Sequence, residues 1–162
     1  MFAHSPYLLN YLLEALNATP EMIADYINKT SEATADLRFD PERFTLREVI
    51  CHLADFEPIF RGRMERMASE ELPTLENRDE GQMAIDNDYA HADINEQTRI
   101  FLEERAKTVA FLTHLSADQW AREGFRENVG KIDIETIAHL LVTHDIYHIK
   151  QLSDYSKARN SS

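Results

Sequence analysis

Apolar residues recur at intervals of three and four through most of this chain, and this spacing restricts it to a helical fold. The clearest set lies near the N-terminus and comprises Leu8, Leu9, Leu12, Leu13 and Leu16. Residues spaced in this way share one face of an α-helix, whereas a half-buried strand alternates at every second position. There is no convincing run of alternating strand residues, and only four Gly and five Pro interrupt the 162 residues. The pattern therefore predicts an all-α protein.

The first helix is expected to begin after Ser5, a cap residue that is followed by Pro6 at the first helical position. Pro20 lies within the apolar pattern that follows. Because proline has no N–H to donate and its ring crowds the preceding turn, Pro20 is expected to divide this helix into two pieces.

Three further helices are predicted from their capping signals. Thr45 and Glu48 have the spacing of a capping box at the start of the second helix. Asp93 is expected to begin the third helix and Asp133 the fourth. With no internal repeat and no long linker, residues 1–162 are expected to form a single four-helix bundle domain.

The segment from Glu71 to His91 is rich in acids and contains Pro73 and Gly81. We expect a long acidic loop here, over the mouth of the bundle and between the second and third helices. Two interpretations stay open: a substrate lid, or an ordered crossover connection on the surface.

Charge and hydropathy exclude several classes of partner. The formal net charge of −12 would repel a phosphate backbone, so no nucleic-acid partner is expected. No apolar run is long enough to span a bilayer, and the N-terminus lacks the basic start of a secretion signal. The lone Cys51 cannot form an intramolecular disulfide, which agrees with a reducing compartment. We therefore expect a cytoplasmic protein without membrane partners.

Three histidines are candidate metal ligands. His144 and His148 lie four apart in THDIYHIKQL, so they occupy adjacent turns of one helix face, about 5–6 Å apart at Cβ. His52 lies on the apolar edge of the second helix, from which it could face the same point. Three imidazoles suit zinc, nickel, copper or iron and leave positions open for water or substrate. The alternative is that each is an ordinary semi-buried histidine, and spacing alone does not decide.

Other metal schemes fit less well. A ferritin-like site needs Glu-x-x-His on two helices, and the chain contains no such tetrapeptide. The spacing of His144, Asp145 and His148 resembles a zinc-protease motif, but no His or Glu follows His148 to serve as a third ligand. Cys51 is turned away from the face that carries His52, and we expect it to be a small buried apolar residue. The other histidines are expected at the surface: His4, His91, His114 and His139.

Two stretches resemble a known family. The run RFTLREVICHLADFEPIFRGRMERM is similar to the second helix of the DinB-like superfamily, in its branch of YfiT-like metal-dependent enzymes. Matching positions are occupied by Phe44, Thr45, Glu48, His52, Asp55 and Glu57. The run HLLVTHDIYHIKQL resembles the final helix of that family, with its His-x-x-x-His pair and following Gln. The acidic segment and HLSADQW at 114–120 are also similar, although Phe44 stands where relatives often carry Trp.

This resemblance implies a four-helix bundle that holds a divalent metal, such as zinc, nickel or iron, through His52, His144 and His148. It also implies a homodimer. Characterised relatives include S-transferases that use thiols such as bacillithiol, and a mycothiol-dependent isomerase. Our first hypothesis is therefore transfer of a small-molecule thiol to an electrophilic substrate, with the metal lowering the pKa of the thiol.

Two alternatives belong to other classes. The first is a hydrolase that uses a metal-bound water, with Asp55, Glu57 and Asp145 as candidate catalytic carboxylates by proximity in sequence. Because acids are common in this chain, each of them could instead be a solvated or capping charge. The second is a non-catalytic metal-binding stress-response protein, whose coordination sphere would be closed by a protein side chain. Arg61 and Arg63 are candidates for contact with a substrate carboxylate.

Overall fold

Four long helices and several shorter elements make up the fold. The computed structural model describes residues 5–160, apart from the side chains of Glu32, Arg159 and Asn160. The helices within these residues are α1 (Pro6–Asn28), α2 (Glu32–Ala35), α3 (Leu46–Ser69), α4 (Glu80–Asp86), α5 (Ile94–Thr113), α6 (Ala117–Trp120) and α7 (Ile134–Asn160). The strands are β1 (Thr74–Leu75), β2 (Glu123–Arg126) and β3 (Gly130–Asp133), and a short 3-10 helix covers Tyr89–His91.

The long helices α1, α3, α5 and α7 form a four-helix bundle, which confirms the predicted fold class. In this bundle α3 packs against α5 and α7, and α1 packs against the same two helices. None of the described helices is both long and apolar enough to cross a membrane.

Side-chain caps fix the starts of the last three long helices, as predicted. The Glu48 N–H donates to Thr45 Oγ1 at 3.2 Å, and the Thr45 N–H donates to a Glu48 carboxylate oxygen at 2.7 Å. Asp93 accepts hydrogen bonds from two backbone N–H groups of the first turn of α5. Asp133 accepts one from the Thr136 N–H at 2.8 Å. These bonds satisfy donors that have no partner within the helix itself.

The predicted break at Pro20 is wrong, because α1 continues through this residue to Asn28. In a regular helix the N–H of residue 20 would donate to the carbonyl of Leu16, and proline cannot do so. The guanidinium of Arg105 donates to that carbonyl instead, with Nη1 at 3.2 Å. The freed acceptor is thus satisfied by a neighbouring helix, so the proline can be accommodated without ending α1.

Arg105 belongs to a group of four buried polar residues that we call the polar belt. One residue comes from each long helix: Thr19, Glu57, Arg105 and Asp145. Arg105 binds both oxygens of Glu57 at 2.8 and 2.9 Å and both oxygens of Asp145 at 2.7 and 3.0 Å. The Thr19 hydroxyl also donates to Asp145. Burial acts to lower the pKa of Arg105, but the two carboxylates outweigh it and raise this pKa. The belt is therefore a hydrogen-bonded polar layer inside the bundle.

Apolar clusters fill the bundle on either side of the polar belt. One cluster includes Leu16, Phe60, Met64, Leu112 and Leu141. The other includes Ile23, Ile50, Leu53, Phe101 and Leu152. Along α1, Thr19 lies between Leu16 and Ile23, which belong to different clusters.

The acidic segment is more ordered than the predicted long loop. It contains β1, α4 and the short 3-10 helix, and α4 begins where the Asp79 side chain accepts from the Gln82 N–H at 3.0 Å. Leu75 and Tyr89 are buried and anchor the segment, whereas Ile85 is 74% exposed. These short elements could not be predicted from the sequence, because each is too brief to show a repeating pattern of apolar residues.

The segment that contains Gly124 and Gly130, between α6 and α7, forms a β-hairpin. Strand β2 pairs antiparallel with β3, with Gly124 opposite Ile132, and parallel with β1. Gly130 has a φ of 94°, a conformation that residues with a Cβ rarely adopt. Strands of two and four residues are too short for alternation to be visible in the sequence.

Close packing of this small sheet predicts that Gly124→Ala destabilises the protein by about 1–3 kcal/mol. A Cβ at Gly124 would lie 2.9 Å from side-chain atoms of Met67 and Leu75, both of which are fully buried. The matched control is Gly62→Ala in α3, where a Cβ would have no neighbour within 4 Å. Alanine favours a helix over glycine, so this variant should gain about 0.5–1 kcal/mol. Urea unfolding would measure the loss of stability expected for Gly124→Ala and the gain expected for Gly62→Ala. Equal changes in the free energy of unfolding would contradict the packing argument.

Candidate metal centre

Three imidazoles meet between α3 and α7. His52 comes from α3, and His144 and His148 come from adjacent turns of α7. The Nε2 atom of His144 lies 2.9 Å from that of His52 and 3.2 Å from that of His148. Each ring offers one nitrogen, and the three nitrogens lie within 4.8 Å of one another. The structure therefore brings together the three histidines that the sequence singled out.

A hydrogen-bond network orients the ring of His148. Nδ1 of His148 lies 3.1 Å from the Gln151 side-chain oxygen, an acceptor, so Nδ1 carries the proton and Nε2 keeps its lone pair. The Gln151 amide in turn donates to the Phe44 carbonyl at 2.9 Å and to the Tyr155 hydroxyl oxygen at 2.7 Å. Such outer contacts to a histidine are what metal sites use to fix the tautomer of a ligand.

His52 is held mainly by packing. Its ring lies 5.5 Å from the ring of Phe44 and 4.5 Å from that of Phe56, measured between centroids. Its Nδ1 is buried and has no hydrogen-bond partner among the described residues. The two aromatic rings thus restrict the orientation of His52 and leave Nε2 as the nitrogen that faces the other imidazoles.

Burial keeps these imidazoles neutral at neutral pH. It lowers the pKa of His52 to about 2, with further contributions from His144 and His148. It lowers the pKa of His148 to about 3, helped by His144 and Arg43 and opposed by the hydrogen bond to Gln151. The pKa of His144 is also lowered by burial, although the charge of Asp145 opposes this. A neutral imidazole has a lone pair, which a metal ligand requires.

The donor set fits a divalent ion. Nitrogens bound to one zinc ion at about 2.0–2.1 Å in a tetrahedral arrangement lie about 3.3 Å apart. The two shorter spacings between Nε2 atoms approach this value. Three neutral imidazoles suit zinc, nickel or iron, so the chemistry of the donors does not select one of these metals.

The cluster opens into a cavity of ≈ 480 Å³. His144 and His148 form part of its wall, so a small molecule in the cavity would reach the imidazoles. The remaining wall residues are Glu42, Arg43, Phe44, Glu80, Gly81, Tyr147 and Gln151. Glu80 and Gly81 belong to α4, which places the acidic segment beside the candidate site. Whether this segment acts as a lid stays a prediction, and limited proteolysis at Gly81 with and without a bound thiol would test it.

The three candidate catalytic carboxylates have other partners in this structure. Glu57 and Asp145 bind Arg105 in the polar belt. Asp55 accepts hydrogen bonds from the Tyr89 hydroxyl at 2.8 Å and from the Asn87 amide at 2.6 Å. Their proposed role in catalysis therefore stays a prediction without geometric support. Sequence reasoning missed Glu80, which lines the cavity and whose pKa is raised by desolvation and then by the charge of Asp79.

The arginines expected to contact a substrate are also occupied. Arg61 binds the Glu104 carboxylate at 2.6 Å, and Arg63 donates to the Glu76 carbonyl. Cys51 is buried as expected, and burial raises the pKa of its thiol to about 12.

Outside the cluster, the histidines that the structure describes are exposed. These are His91, His114 and His139, as predicted, whereas His4 lies outside the described residues. His139 is 57% exposed at its side chain and pairs with Glu135 on the outer face of α7.

After chelation, the free energy of unfolding is expected to fall as pH drops from about 7 to about 5. The folded pKa of His148, about 3, lies below the usual 6.5, so the unfolded chain gains a proton in this range and the folded chain does not. The contribution of His148 to the free energy of unfolding is therefore fully present above pH 6.5. Below this pH it is lost by up to about 1.4 kcal/mol per pH unit. In urea unfolding, His148→Ala should show a shallower dependence on pH than wild type, and His139→Ala should not. If the free energy of unfolding depends on pH in the same way in all three proteins, the pKa of His148 is not lowered by folding as described.

Comparisons with known proteins agree with this architecture. The family model described as the DinB superfamily matches residues 15–152. YfiT of Bacillus subtilis (strain 168), a probable metal-dependent hydrolase, is 23% identical over 146 residues, which cover 90% of this chain and 82% of YfiT. The solved structure of YfiT, described as an unusual four-helix bundle, matches with a TM-score of 0.90 at 22% identity, over 96% of this chain and 90% of that chain. Because the family model spans most of the 162 residues, this chain belongs to the DinB superfamily.

Proposed function

We propose that this protein is a metal-dependent hydrolase whose divalent ion is held by His52, His144 and His148. The observation that carries the proposal is the position of the imidazole cluster in the wall of a cavity large enough for a small substrate. A purely structural metal site would be closed by protein ligands. The description of YfiT as a probable metal-dependent hydrolase supports the same class of activity.

The residues around the site have separate tasks in this proposal. A divalent ion on three imidazoles supplies Lewis acidity, which polarises a carbonyl group and makes water a better nucleophile at neutral pH. Gln151 holds the proton on Nδ1 of His148 and thereby directs Nε2 towards the centre. The rings of Phe44 and Phe56 pack against His52 and limit the access of water from that side.

Hydrolysis also needs a group that accepts a proton from the attacking water. Glu80 is our candidate, because it lines the cavity together with His144 and His148. Its raised pKa makes it a stronger base than a fully solvated carboxylate. Asp55, Glu57 and Asp145 fit this role less well, since their oxygens already accept hydrogen bonds elsewhere.

Transfer of a small-molecule thiol uses the same Lewis acidity and stays a prediction. The homodimer and the cytoplasmic location expected from the sequence also stay predictions.

An assay with and without thiol would separate these activities. Chelated protein is reloaded with zinc, nickel or ferrous iron and mixed with esters, amides and thioesters, in the absence and then in the presence of cysteine. We expect hydrolysis without thiol, lost on chelation and in His144→Ala and retained in His139→Ala on the same helix. Turnover only with thiol would replace hydrolysis by transfer. No turnover with any of these metals would favour a non-catalytic metal-binding protein.

A further inference from the structure

Arg43 is the positively charged residue in the wall of the imidazole-lined cavity. Its guanidinium lies over the ring of Tyr147, with Cζ 4.9 Å from the ring centroid. Its Nε is buried and has no hydrogen-bond partner among the described residues. No hydrogen bond or ion pair within the described residues occupies the rest of the guanidinium either, so this group keeps its donors for an acceptor from outside the chain.

The lack of a partner is unusual for this protein, because acids outnumber basic residues 29 to 17. Other buried or partly buried arginines have partners: Arg47 binds Asp36, Arg61 binds Glu104 and Arg105 binds Glu57 and Asp145, while Arg63 donates to the Glu76 carbonyl. Among the described residues no carboxylate lies within ion-pair distance of Arg43. The carboxylate of Asp154, which the charge of Arg43 affects at longer range, is instead bound by Lys150 at 2.6 and 2.7 Å.

The backbone next to Arg43 is fixed to the metal centre. The carbonyl of Phe44 accepts hydrogen bonds from Gln151 and from Tyr155, at 2.9 and 2.7 Å. Gln151 is also the residue that orients His148. The carbonyl of Arg43 accepts from Arg38 at 2.8 Å. The guanidinium is therefore presented at a defined place relative to the imidazoles, as a substrate-binding group must be.

We infer that Arg43 binds the carboxylate of a monoanionic substrate whose scissile bond lies at the three histidines; the inference rests on the proposed function. A guanidinium recognises a carboxylate through paired, charge-assisted hydrogen bonds, and its stacking on Tyr147 limits its motion before binding. If Arg43 served only to stabilise the fold by stacking on Tyr147, its guanidinium would not need to lie in the wall of the cavity.

Two acids in the same wall narrow the class of substrate. Glu42 and Glu80 line the cavity with Arg43. Their negative charges would repel a phosphate or a dicarboxylate more strongly than a single carboxylate. The aromatic rings of Phe44 and Tyr147 offer apolar surface for the rest of the molecule. The site therefore fits a small ester or amide that carries one carboxylate.

The first test measures binding without turnover. Benzoate and its neutral analogue benzamide are titrated into the full-length protein after chelation, so that an ion cannot itself bind the carboxylate. The side-chain Nε–H signal of Arg43, identified by its loss in Arg43→Gln, is followed by NMR. We expect benzoate to change the chemical shift of this signal and benzamide to leave the shift unchanged. Backbone signals around the cavity should give a Kd for benzoate at least about tenfold higher in Arg43→Gln.

The second test measures selectivity in metal-loaded protein. We compare kcat/KM for mono(4-nitrophenyl) glutarate, which carries a carboxylate, with that for the neutral 4-nitrophenyl pentanoate. Arg43→Gln should lower the value for the first ester at least about tenfold more than for the second. Arg99→Gln, which removes an exposed arginine from α5, should change neither value.

The outcomes separate the two proposals. The inference is overturned if chelated wild type does not bind benzoate, if Arg43→Gln binds it as tightly as wild type, or if the loss in selectivity also occurs in Arg99→Gln. If neither ester is hydrolysed with any metal while benzoate binding depends on Arg43, the anion site stands and the hydrolase proposal fails.

Discussion

Replacing Arg105 with alanine is expected to lower the free energy of unfolding by about 3–5 kcal/mol, the cost of breaking a buried ion network by removing one partner. The substitution leaves the carboxylates of Glu57 and Asp145 without their shared cation at positions that are 2% and 0% exposed. It also removes the donor to the Leu16 carbonyl, which Pro20 cannot satisfy. For a chain of this length the melting temperature should fall by about 6–20 °C.

Arg99→Ala is the matched control for this prediction. Arg99 lies on the same helix and forms ion pairs with Glu96 and Glu103, but its side chain is 54% exposed. Exposed ion pairs contribute little, so the change should stay within about 1 kcal/mol. Calorimetric melts of both variants would check the contrast. If Arg105→Ala melts within a degree or two of Arg99→Ala, the polar belt does not stabilise the bundle as described.

Metal binding is expected to raise the stability of the wild type by about 2.7 kcal/mol when the free ion is a hundredfold above its Kd. The physical reason is that the folded chain holds the three imidazoles together and the unfolded chain does not. His52→Ala and His144→Ala should each lose this increase, because two remaining ligands bind an ion far more weakly than three. The shift in melting temperature, about 5–11 °C for wild type, can be measured by calorimetry with and without chelator.

The control for the histidine variants is His139→Ala, which removes an exposed imidazole from the outer face of α7. It should keep the full metal-dependent shift. A shift that disappears in His139→Ala but survives in His144→Ala would mean that the ion binds on the outer face of α7, and the cluster would have to be rejected as the metal centre.

The helix faces that carry the three histidines could be predicted because they depend on local rules, whereas their use as one metal site was implied by the family resemblance. The spacing of His144 and His148 determines that they share a helix face, and the apolar neighbours of His52 determine which edge of α3 turns inward. The helix starts at Thr45 and Asp133 were equally visible, since a cap involves residues only three apart.

The polar belt could not be predicted in the same way. Thr19 and Arg105 are separated by 86 residues, and Arg105 and Asp145 by 40. In the sequence Arg105 looks like one more charge on a polar helix, and only the packing of four helices shows that it replaces the missing hydrogen bond at Leu16. Local chemistry predicts a break in the helix at Pro20. This prediction failed because the distant Arg105 side chain donates to the carbonyl that Pro20 leaves without a donor.

The cavity wall escaped prediction for a related reason. It combines the segment before α3, the start of α4 and the middle of α7, which are distant in sequence. Arg43 and Glu80 carry no motif, so their position in one wall becomes visible only in the folded chain. Arg61 and Arg63 seemed better candidates because they follow His52, but Arg61 pairs with Glu104 and Arg63 donates to the Glu76 carbonyl.

X-ray absorption at the metal edge tests the central claim most directly, because it reports the ligand atoms of the bound ion. We expect protein reloaded with zinc to bind one ion per chain, with imidazole scattering from three histidines and zinc–nitrogen distances of about 2.0–2.1 Å. His144→Ala should lower the number of imidazole ligands, and His139→Ala should leave the spectrum unchanged. A first shell of carboxylate oxygens without imidazole scattering, or the same spectrum in His144→Ala as in wild type, would contradict binding by His52, His144 and His148.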